Sequence, residues 1–168
     1  MLDRNSALAS AKPYKGTNLT IAEAPDFTLT QYAGSEKELK KALGKIPPRV
    51  GAALEQDGRT LLRINQTQIW VIGEPIKIAA SVTTPLSSSR TRIAIAGENS
   101  RTVLAKLAAI DFQIKSFTPG MFASTGIHHT PALIHCAEEN TFHIYAMRTF
   151  GLSVWEAVTD AALEFSDR

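Results

Sequence analysis

The stretch "HIYAMRTFGLSVWEAVTDAALEF" (143–165) decides the fold, because it predicts a strand that turns directly into a helix over roughly residues 149–165. Apolar residues recur along this helix at the helical period and form one stripe: Phe150, Val154, Val158, Ala161 and Phe165. Leu152, Trp155 and Ala162 lie on an adjacent sector and widen the stripe. The pattern indicates packing on the chain's own sheet or, for a part such as Trp155, contact with another subunit.

The strand in this stretch is the second arm of a predicted hairpin. "TPALIHCA" (130–137) and "TFHIYAM" (141–147) flank the tight turn "EEN". Upstream, "TRIAIAG" (91–97) alternates like a strand, and "ENSRTVLAKLAAI" (98–110) has the apolar spacing of a helix. The segment "DFQIKSFTPGMFAST" is predicted to be a connection, because it contains the turn pair Pro-Gly. The second half of the chain therefore has the order strand, helix, hairpin, helix.

The first half has a similar order of elements. "FTLTQYAG" (27–34) predicts a strand, and Ser35 with Glu38 forms the Ser-x-x-Glu capping box that begins a helix. "GRTLLRINQTQIWVIG" (58–73) predicts a hairpin with "NQT" as its turn. "EPIKIAASV" (74–82) predicts a short helix, because its proline stands near a first helical position. A polar strand or connection, "SVTTPLSSSR", leads into the second half.

Two consecutive units of this kind predict an α+β fold made of two split β-α-β (ferredoxin-like) halves, with mostly antiparallel sheet. Residues 1–18 show no sustained period and are predicted to form a flexible N-terminal arm. Residues 19–168 are predicted to form a single α+β domain, with halves at about 19–89 and 90–168. The duplication is one of topology, since no residue-level repeat is visible.

The charge balance argues against a nucleic-acid-binding protein. The chain has 18 Lys and Arg residues against 16 Asp and Glu residues, a net charge of +2, and no basic stripe. No stretch approaches the ~20 consecutive apolar residues of a membrane span, and the N-terminus lacks the apolar core of a signal peptide. A single cysteine excludes an internal disulfide. These features predict a cytoplasmic protein that contacts neither nucleic acid nor membrane.

A cluster of histidines raises the question of a metal site. The residues concerned are His128, His129, His135, His143 and Cys136. On a strand His135 and Cys136 point to opposite faces, and His143 can face His135 across the hairpin. A metal needs three or four converging ligands. The hairpin supplies two at best, His135 and His143, and His128 and His129 lie in the connection before it. Surface or loop histidines and a buried structural thiol are the better interpretation, and a metal-binding regulator is an alternative that elemental analysis would decide.

No motif for phosphate binding or nucleophilic catalysis is present. The patterns G-x-G-x-x-G, G-x-x-x-x-G-K-[ST] and G-x-S-x-G do not occur. The run "SSSR" (87–90) has the composition of an anion site, but serines beside a proline usually form a connection. The sequence therefore predicts no catalytic, cofactor-binding or metal-binding residue in this chain.

Two segments carry a resemblance to a known family. "VTTPLSSSRTRIAIAG", followed by a helix, and then "TPALIH…FHIYAMRTFGLSVWEAVTDAALEF" resemble the gamma subunit of heterotetrameric sarcosine oxidase and of related N-methyl amino acid dehydrogenases. The shared pattern is an ordered set: Arg148-Thr149-Phe150, Trp155-Glu156, Ala161/Ala162 and Glu164-Phe165. It covers residues 80–165 well and the N-terminal half loosely. The family resembles, more distantly, the folate-binding domain of the glycine cleavage aminomethyltransferase.

The resemblance implies a non-catalytic small (gamma) subunit of a heterotetrameric flavoenzyme. Its large, medium and small partner subunits would hold FAD, FMN, NAD and tetrahydrofolate. They would oxidise the N-methyl group of sarcosine or another N-methyl amino acid and transfer the one-carbon unit to tetrahydrofolate. Arg148, Phe150 and Trp155 are the expected partner interface.

The alternative is a stand-alone folate-binding or aminomethyltransferase-like protein. Members of the family often carry an Asp-x-Ser-His segment before the strand that begins here at Arg90. This chain has Pro85-Leu86-Ser87-Ser88 at that place, so both the acid and the imidazole are missing. Their absence tells against folate binding or acid–base chemistry in this chain.

Overall fold

The computed structural model describes residues 5–76 and 82–166, and all structural statements refer to these residues. The strands are β1 (Tyr14–Gly16), β2 (Leu19–Glu23), β3 (Leu29–Ala33), β4 (Ala53–Gln56), β5 (Arg59–Arg63), β6 (Gln68–Ile72), β7 (Val82–Pro85), β8 (Arg90–Ala96), β9 (Met121–Ile127), β10 (Thr130–Glu138) and β11 (Thr141–Met147). The helices are α1 (Glu36–Leu43), α2 (Ser100–Leu107) and α3 (Gly151–Ala161). Single 3₁₀ turns span Ser87–Ser89, Arg148–Phe150 and Leu163–Phe165. The helix predicted over 74–82 falls largely on 77–81, outside the described residues.

The strands form two antiparallel sheets that are built in the same way. Sheet A has the order β1-β2-β8-β11-β10-β9, and sheet B has the order β4-β5-β6-β3-β7. In sheet B the chain runs through β3, α1, β4, β5 and β6, and in sheet A it runs through β8, α2, β9, β10 and β11. Each element of the first series has the same neighbours as its counterpart in the second. The predicted α+β fold, with two mostly antiparallel halves, is therefore confirmed.

The N-terminal strand β2 completes the sheet of the second half. In sheet B the position beside β3 is taken by β7, which follows β6 in the chain. In sheet A the equivalent position beside β8 is taken by β2, with Ile21 opposite Ile95. The two sheets therefore do not divide the chain at residue 89, where the predicted halves meet. The alternation within β2 predicts one buried face, but it does not say which strand lies beside it.

The described part of the predicted N-terminal arm packs against the domain. Leu8 is buried in the core, and Tyr14–Gly16 forms β1. The hydroxyl of Tyr14 donates to the carbonyl oxygen of Ala162 at 2.6 Å, and the amide of Thr17 donates to that of Phe165 at 2.7 Å. These partners lie at the other end of the chain, so the local polarity of the segment gives no sign of them.

The core has three layers, because the sheets face each other and helices cover their outer sides. Beneath α1, sheet B buries Tyr32, Leu39, Leu43, Leu61, Ile69 and Val71. Between the sheets lie Leu29, Leu62, Trp70, Ile72, Phe122, Leu133 and Tyr145. Beneath α2 and α3, sheet A buries a larger set that includes Ile93, Ile95, Val103, Leu104, Phe142, Ile144, Val154 and Trp155. Strands such as β6 and β10 are therefore buried on both faces, which is why they read as largely apolar runs.

The sequence predicts the start of helix α1 correctly and the start of helix α3 less well. Ser35 caps α1 by the predicted reciprocal hydrogen bonds with Glu38. Helix α3 starts two residues later than predicted, at Gly151, after one 3₁₀ turn. Its buried face contains Val154, Trp155, Val158 and Ala162. The predicted stripe is wrong at Phe150, because the 3₁₀ turn rotates that side chain away from the core. Among the described residues, none of the helices has the length and apolarity needed to cross a membrane.

Candidate functional site

A cleft of about 530 Å³ opens between the two sheets, at one end of the layer that they share. Sheet B contributes Trp70, and sheet A contributes Leu133, Tyr145 and Met147 to its apolar lining. The polar lining groups are Arg90, Ser124, Thr125 and His129. This volume and this mixture of a mainly apolar surface with a few polar groups are typical of small-molecule sites.

One wall of the cleft is a fixed group of aromatic rings. The indole N–H of Trp70 donates to Oε1 of Gln31 at 3.0 Å, which sets the orientation of the indole. Tyr145 meets Trp70 edge-to-face at 6.5 Å between ring centres, and Phe27 meets Tyr145 in the same way at 6.0 Å. Burial raises the pKa of the Tyr145 hydroxyl, so this phenol is neutral at physiological pH. The rings are therefore held in one arrangement before any ligand arrives.

Arg90 brings a positive charge to this wall. Its guanidinium carbon lies 5.4 Å from the centre of the Trp70 ring, and its Nη1 donates to the carbonyl oxygen and Oγ of Ser89, each at 3.2 Å. Burial lowers the pKa of Arg90. Arg90 takes part in none of the ion pairs formed among the described residues. The charge is thus partly desolvated, and the contacts of the guanidinium are with a ring face and neutral oxygens.

The four histidines form two separate pairs. His135 and His143 lie opposite each other across the β10–β11 hairpin, as predicted, with ring centres 6.2 Å apart. His128 and His129 form the turn between β9 and β10, with ring centres 5.5 Å apart. Within the described part of the chain, no group of three His, Cys, Asp or Glu side chains is placed to hold a metal ion.

Burial dominates the chemistry of the His135–His143 pair. It lowers the pKa of His135 to about 4, with a further contribution from His143. It also lowers the pKa of His143, and the positive charge of Arg92 acts in the same direction. Nδ1 of His135 is buried without a hydrogen-bond partner among the described residues. Both rings are therefore neutral parts of the layer between the sheets at physiological pH.

Cys136 has the surroundings of a structural thiol. It is buried on the opposite face of β10 from His135, and burial raises the pKa of its thiol. Its sulfur lies 3.9 Å from Nη2 of Arg101 and 3.2 Å from the carbonyl oxygen of Glu138. A protonated, buried thiol with no adjacent histidine base does not provide a nucleophile.

The run Ser87–Arg90 does not form an anion site through its serines. Oγ of Ser87 accepts from the amide of Leu29 at 2.9 Å, and the hydroxyl of Ser89 donates to the carbonyl oxygen of Leu86 at the same distance. These hydroxyls hold the 3₁₀ turn against β3 instead. Arg90 is the member of the run that reaches the cleft.

The three predicted interface residues have different surroundings. Trp155 is only 6% exposed and belongs to the core beneath α3, so it is not accessible to a partner on the surface of this fold. Phe150 is 44% exposed, and its neighbours Met147 and Leu152 are also exposed. Arg148 donates through Nη2 to the carbonyl oxygen of Asn5. The partner interface stays a prediction, and of its three residues Phe150 has the most exposed side chain.

Two solved structures share this arrangement of sheets. A chain of the heterotetrameric sarcosine oxidase from Corynebacterium sp. U-96, in complex with pyrrole 2-carboxylate, matches with a TM-score of 0.86 at 19% identity, over 98% of this chain and 97% of that chain. The glycine cleavage system aminomethyltransferase T from Bartonella henselae matches with a TM-score of 0.57 at 13% identity. That match covers 85% of this chain and 46% of the transferase, so this chain spans about half the length of that protein.

These likenesses establish the fold and confirm the predicted resemblance at that level. The sequence itself has no significant match among known family models or curated proteins. The cleft was not predicted from the sequence, because its lining comes from strands of both halves. The one local signal is the run of polar and basic residues that ends at Arg90.

Proposed function

We propose that this chain is the non-catalytic gamma subunit of a heterotetrameric, sarcosine oxidase-like flavoenzyme. The observation that carries the proposal is the end-to-end match with a chain of such an oxidase, which leaves only 2% of this chain and 3% of that chain uncovered. A match that accounts for both chains supports the role of a whole subunit. A shared domain within a larger protein would leave much of the other chain uncovered.

In this proposal the chemistry belongs to the partners. The large, medium and small subunits hold FAD, FMN, NAD and tetrahydrofolate, oxidise the N-methyl group of sarcosine or another N-methyl amino acid, and transfer the one-carbon unit to tetrahydrofolate in the cytoplasm. The state of the reactive side chains of this chain supports a non-catalytic role. Cys136 is buried and protonated, His135 is buried and neutral, and His143 is half-buried and neutral.

The proposed contact with a partner subunit is the surface around the start of α3. Met147, Phe150 and Leu152 are all exposed there, although large apolar side chains are usually buried. Arg148 fixes the N-terminal segment beside them. Interfaces between permanent subunits bury apolar surface of this kind, and burial of Phe150 on assembly would remove its exposed area from water.

Co-expression with the flavoprotein subunits from the same genome tests the assembly. A tag on this chain should recover the partner subunits in stoichiometric amounts, together with flavin absorbance. Phe150→Asp should reduce recovery at least tenfold, because a charge would be buried at the interface. Val50→Asp is the matched control, since Val50 is similarly exposed but lies between α1 and β4. Recovery of the tagged chain alone, with the partners soluble in the same lysate, would rule out the proposal.

A stand-alone folate-binding protein is the second candidate, and the likeness to aminomethyltransferase T favours it. Calorimetry of the purified chain with tetrahydrofolate separates the two candidates. The subunit proposal predicts no heat of binding by the isolated chain, together with assembly on co-expression. Folate binding by a chain that does not assemble would favour the second candidate.

A further inference from the structure

The cleft between the sheets adjoins the proposed partner surface at Met147, and its walls have the features of a ligand site. The rings of Trp70 and Tyr145 are fixed by neighbours that lie outside the cleft, namely Gln31 and Phe27. A site whose walls are already ordered loses little conformational entropy when a ligand enters.

The charge distribution in the cleft selects the sign of its ligand. Among the described lining residues Arg90 is the one side chain with a permanent charge, and no Asp or Glu lies in the lining. The backbone oxygen and hydroxyl of Ser89 take hydrogen bonds from one of its nitrogens, Nη1. A guanidinium has five N–H donors, so donors remain for a ligand. Ser124, on the same face of β9 as Phe122, adds a hydroxyl donor to the same lining.

The turn at the edge of the cleft is held in a costly conformation. His128 and His129 have φ of 45° and 69°, in the left-handed region that Asn and Gly occupy more easily. Two such residues in a two-residue hairpin loop place His129 at the edge of the cleft. Backbone strain of this kind is concentrated at ligand sites, and here it adds a further donor group.

We propose that this cleft binds a small monoanion with a flat apolar body, whose charged group pairs with Arg90 and whose body lies against Trp70 and Tyr145. The apolar lining excludes a strongly hydrated inorganic anion, because it offers such an ion few donors. A single cation in a lining without Asp or Glu disfavours a cationic ligand and leaves a neutral ligand without its strongest contact.

A pair of fluorescent probes of the same shape tests the proposal on the purified full chain. Anilinonaphthalene sulfonate carries one negative charge, and its uncharged parent phenylnaphthylamine does not. The anion should bind at one site per chain, and Arg90→Gln should weaken its binding about tenfold, the effect of losing a charged hydrogen-bond partner. The same substitution should change the binding of the neutral probe less than twofold. Arg49→Gln, at an exposed arginine in the loop before β4, should change neither.

A second variant tests the location independently of charge. A side chain added at Gly126 would meet no atom within 4 Å of its Cβ, so Gly126→Phe extends into the cleft without disturbing the fold. This variant should abolish the binding of the anionic probe. Equal binding of the anion by the Arg90→Gln and unaltered chains would overturn the proposal. Undiminished binding after Gly126→Phe, or no binding of the anion at all, would do the same. None of these outcomes depends on whether the chain assembles with flavoprotein subunits.

Discussion

At the scale of single residues, Arg101 organises the connection between α2 and β9. It is 9% exposed, and its guanidinium donates to the carbonyl oxygens of Phe112, Phe117 and Glu139. The same group lies 5.1 Å from the centre of the Phe142 ring. The described ion pairs include no carboxylate partner for it. Its charge is therefore solvated by backbone carbonyl groups, which a lysine could not reach in the same geometry.

Replacement of Arg101 should destabilise the chain strongly. Arg101→Met removes the guanidinium donors from three carbonyl oxygens, and we expect the free energy of unfolding to fall by about 3 kcal/mol. Arg101→Lys should recover less than half of this loss. Urea denaturation measures both, with Arg49→Met at an exposed position as the control. A loss no greater than that of the control would show that Arg101 does not hold the connection.

His135 should make stability depend on pH. It is 3% exposed, and burial lowers its pKa in the folded state from 6.5 to about 4. Between these values the unfolded chain takes up a proton that the folded chain does not, so stability falls as pH falls from 6.5 towards 4. The full loss from this group is on the order of 3 kcal/mol.

Denaturation of His135→Leu over the same range isolates this contribution. The variant should lose the part of the pH dependence that belongs to His135, while other groups keep theirs. His128→Asn, at an exposed histidine whose positive φ suits asparagine, is the matched control, and the pH dependence that belongs to His135 should persist in it. A pH profile of His135→Leu that runs parallel to that of the unaltered chain would contradict the assignment.

At the scale of elements, the β9–β10 turn can be improved. Its two residues have the positive φ values of a tight hairpin turn but are both histidines. Replacement of His128-His129 by Asn-Gly relieves the strain, and we expect stability to rise by about 1 kcal/mol. The same exchange at Asp57-Gly58, whose φ values are 52° and 70°, should gain less, because that turn already has favourable residues. Thermal denaturation compares the two variants, and an equal gain would mean that the histidine turn is not strained.

The elements that the sequence predicts well are those with a local signal. Ser35 and Glu38 predict the start of α1 because the capping box lies within four residues. The two predicted hairpins, β5–β6 and β10–β11, are present, and each has a clear apolar pattern on adjacent strands. The hairpins β4–β5 and β9–β10 were not predicted. Strand β9 was missed, because it alternates weakly and its buried Phe122 packs between the sheets. For the same reason the cleft was missed: the contact of Arg90 with Trp70 joins two halves that no sequence pattern relates.

At the scale of the whole molecule, the chain contains two copies of one topology, which differ in where one strand comes in the sequence. Strand β7 follows the first half directly, whereas β2, its counterpart, precedes everything else in sheet A except β1. The second half therefore depends on the N-terminus for the edge of its sheet. Leu8 and the bond from Thr17 to Phe165 add further contacts between the two ends of the chain. The two halves are therefore joined in two ways. Strand β2, which precedes the first half in the chain, lies in the sheet of the second half, and the two sheets share an apolar layer.

A circular permutant tests this view of the architecture. Asn5 lies beside Arg148 at the start of α3, and Thr17 lies beside Phe165 after its end, so the gap between the described ends is about 25 Å. A Gly/Ser linker of about ten residues spans it. With a new start between Pro25 and Asp26, β2 would follow α3, and both halves would become continuous in the chain. We expect this permutant to fold with the same circular dichroism and to unfold within about 2 kcal/mol of the original chain.

The matched comparison is a chain that starts at Asp26 and has nothing added after the C-terminus. It lacks β1, β2 and the buried Leu8, so an edge of β8 and part of the core are exposed. It should be insoluble or unfolded, because an unpaired strand beside an open apolar core promotes aggregation. If this truncated chain folds as stably as the permutant, β2 does not complete the second sheet. If the permutant fails as the truncation does, the order of the strands in the chain matters as much as their contacts.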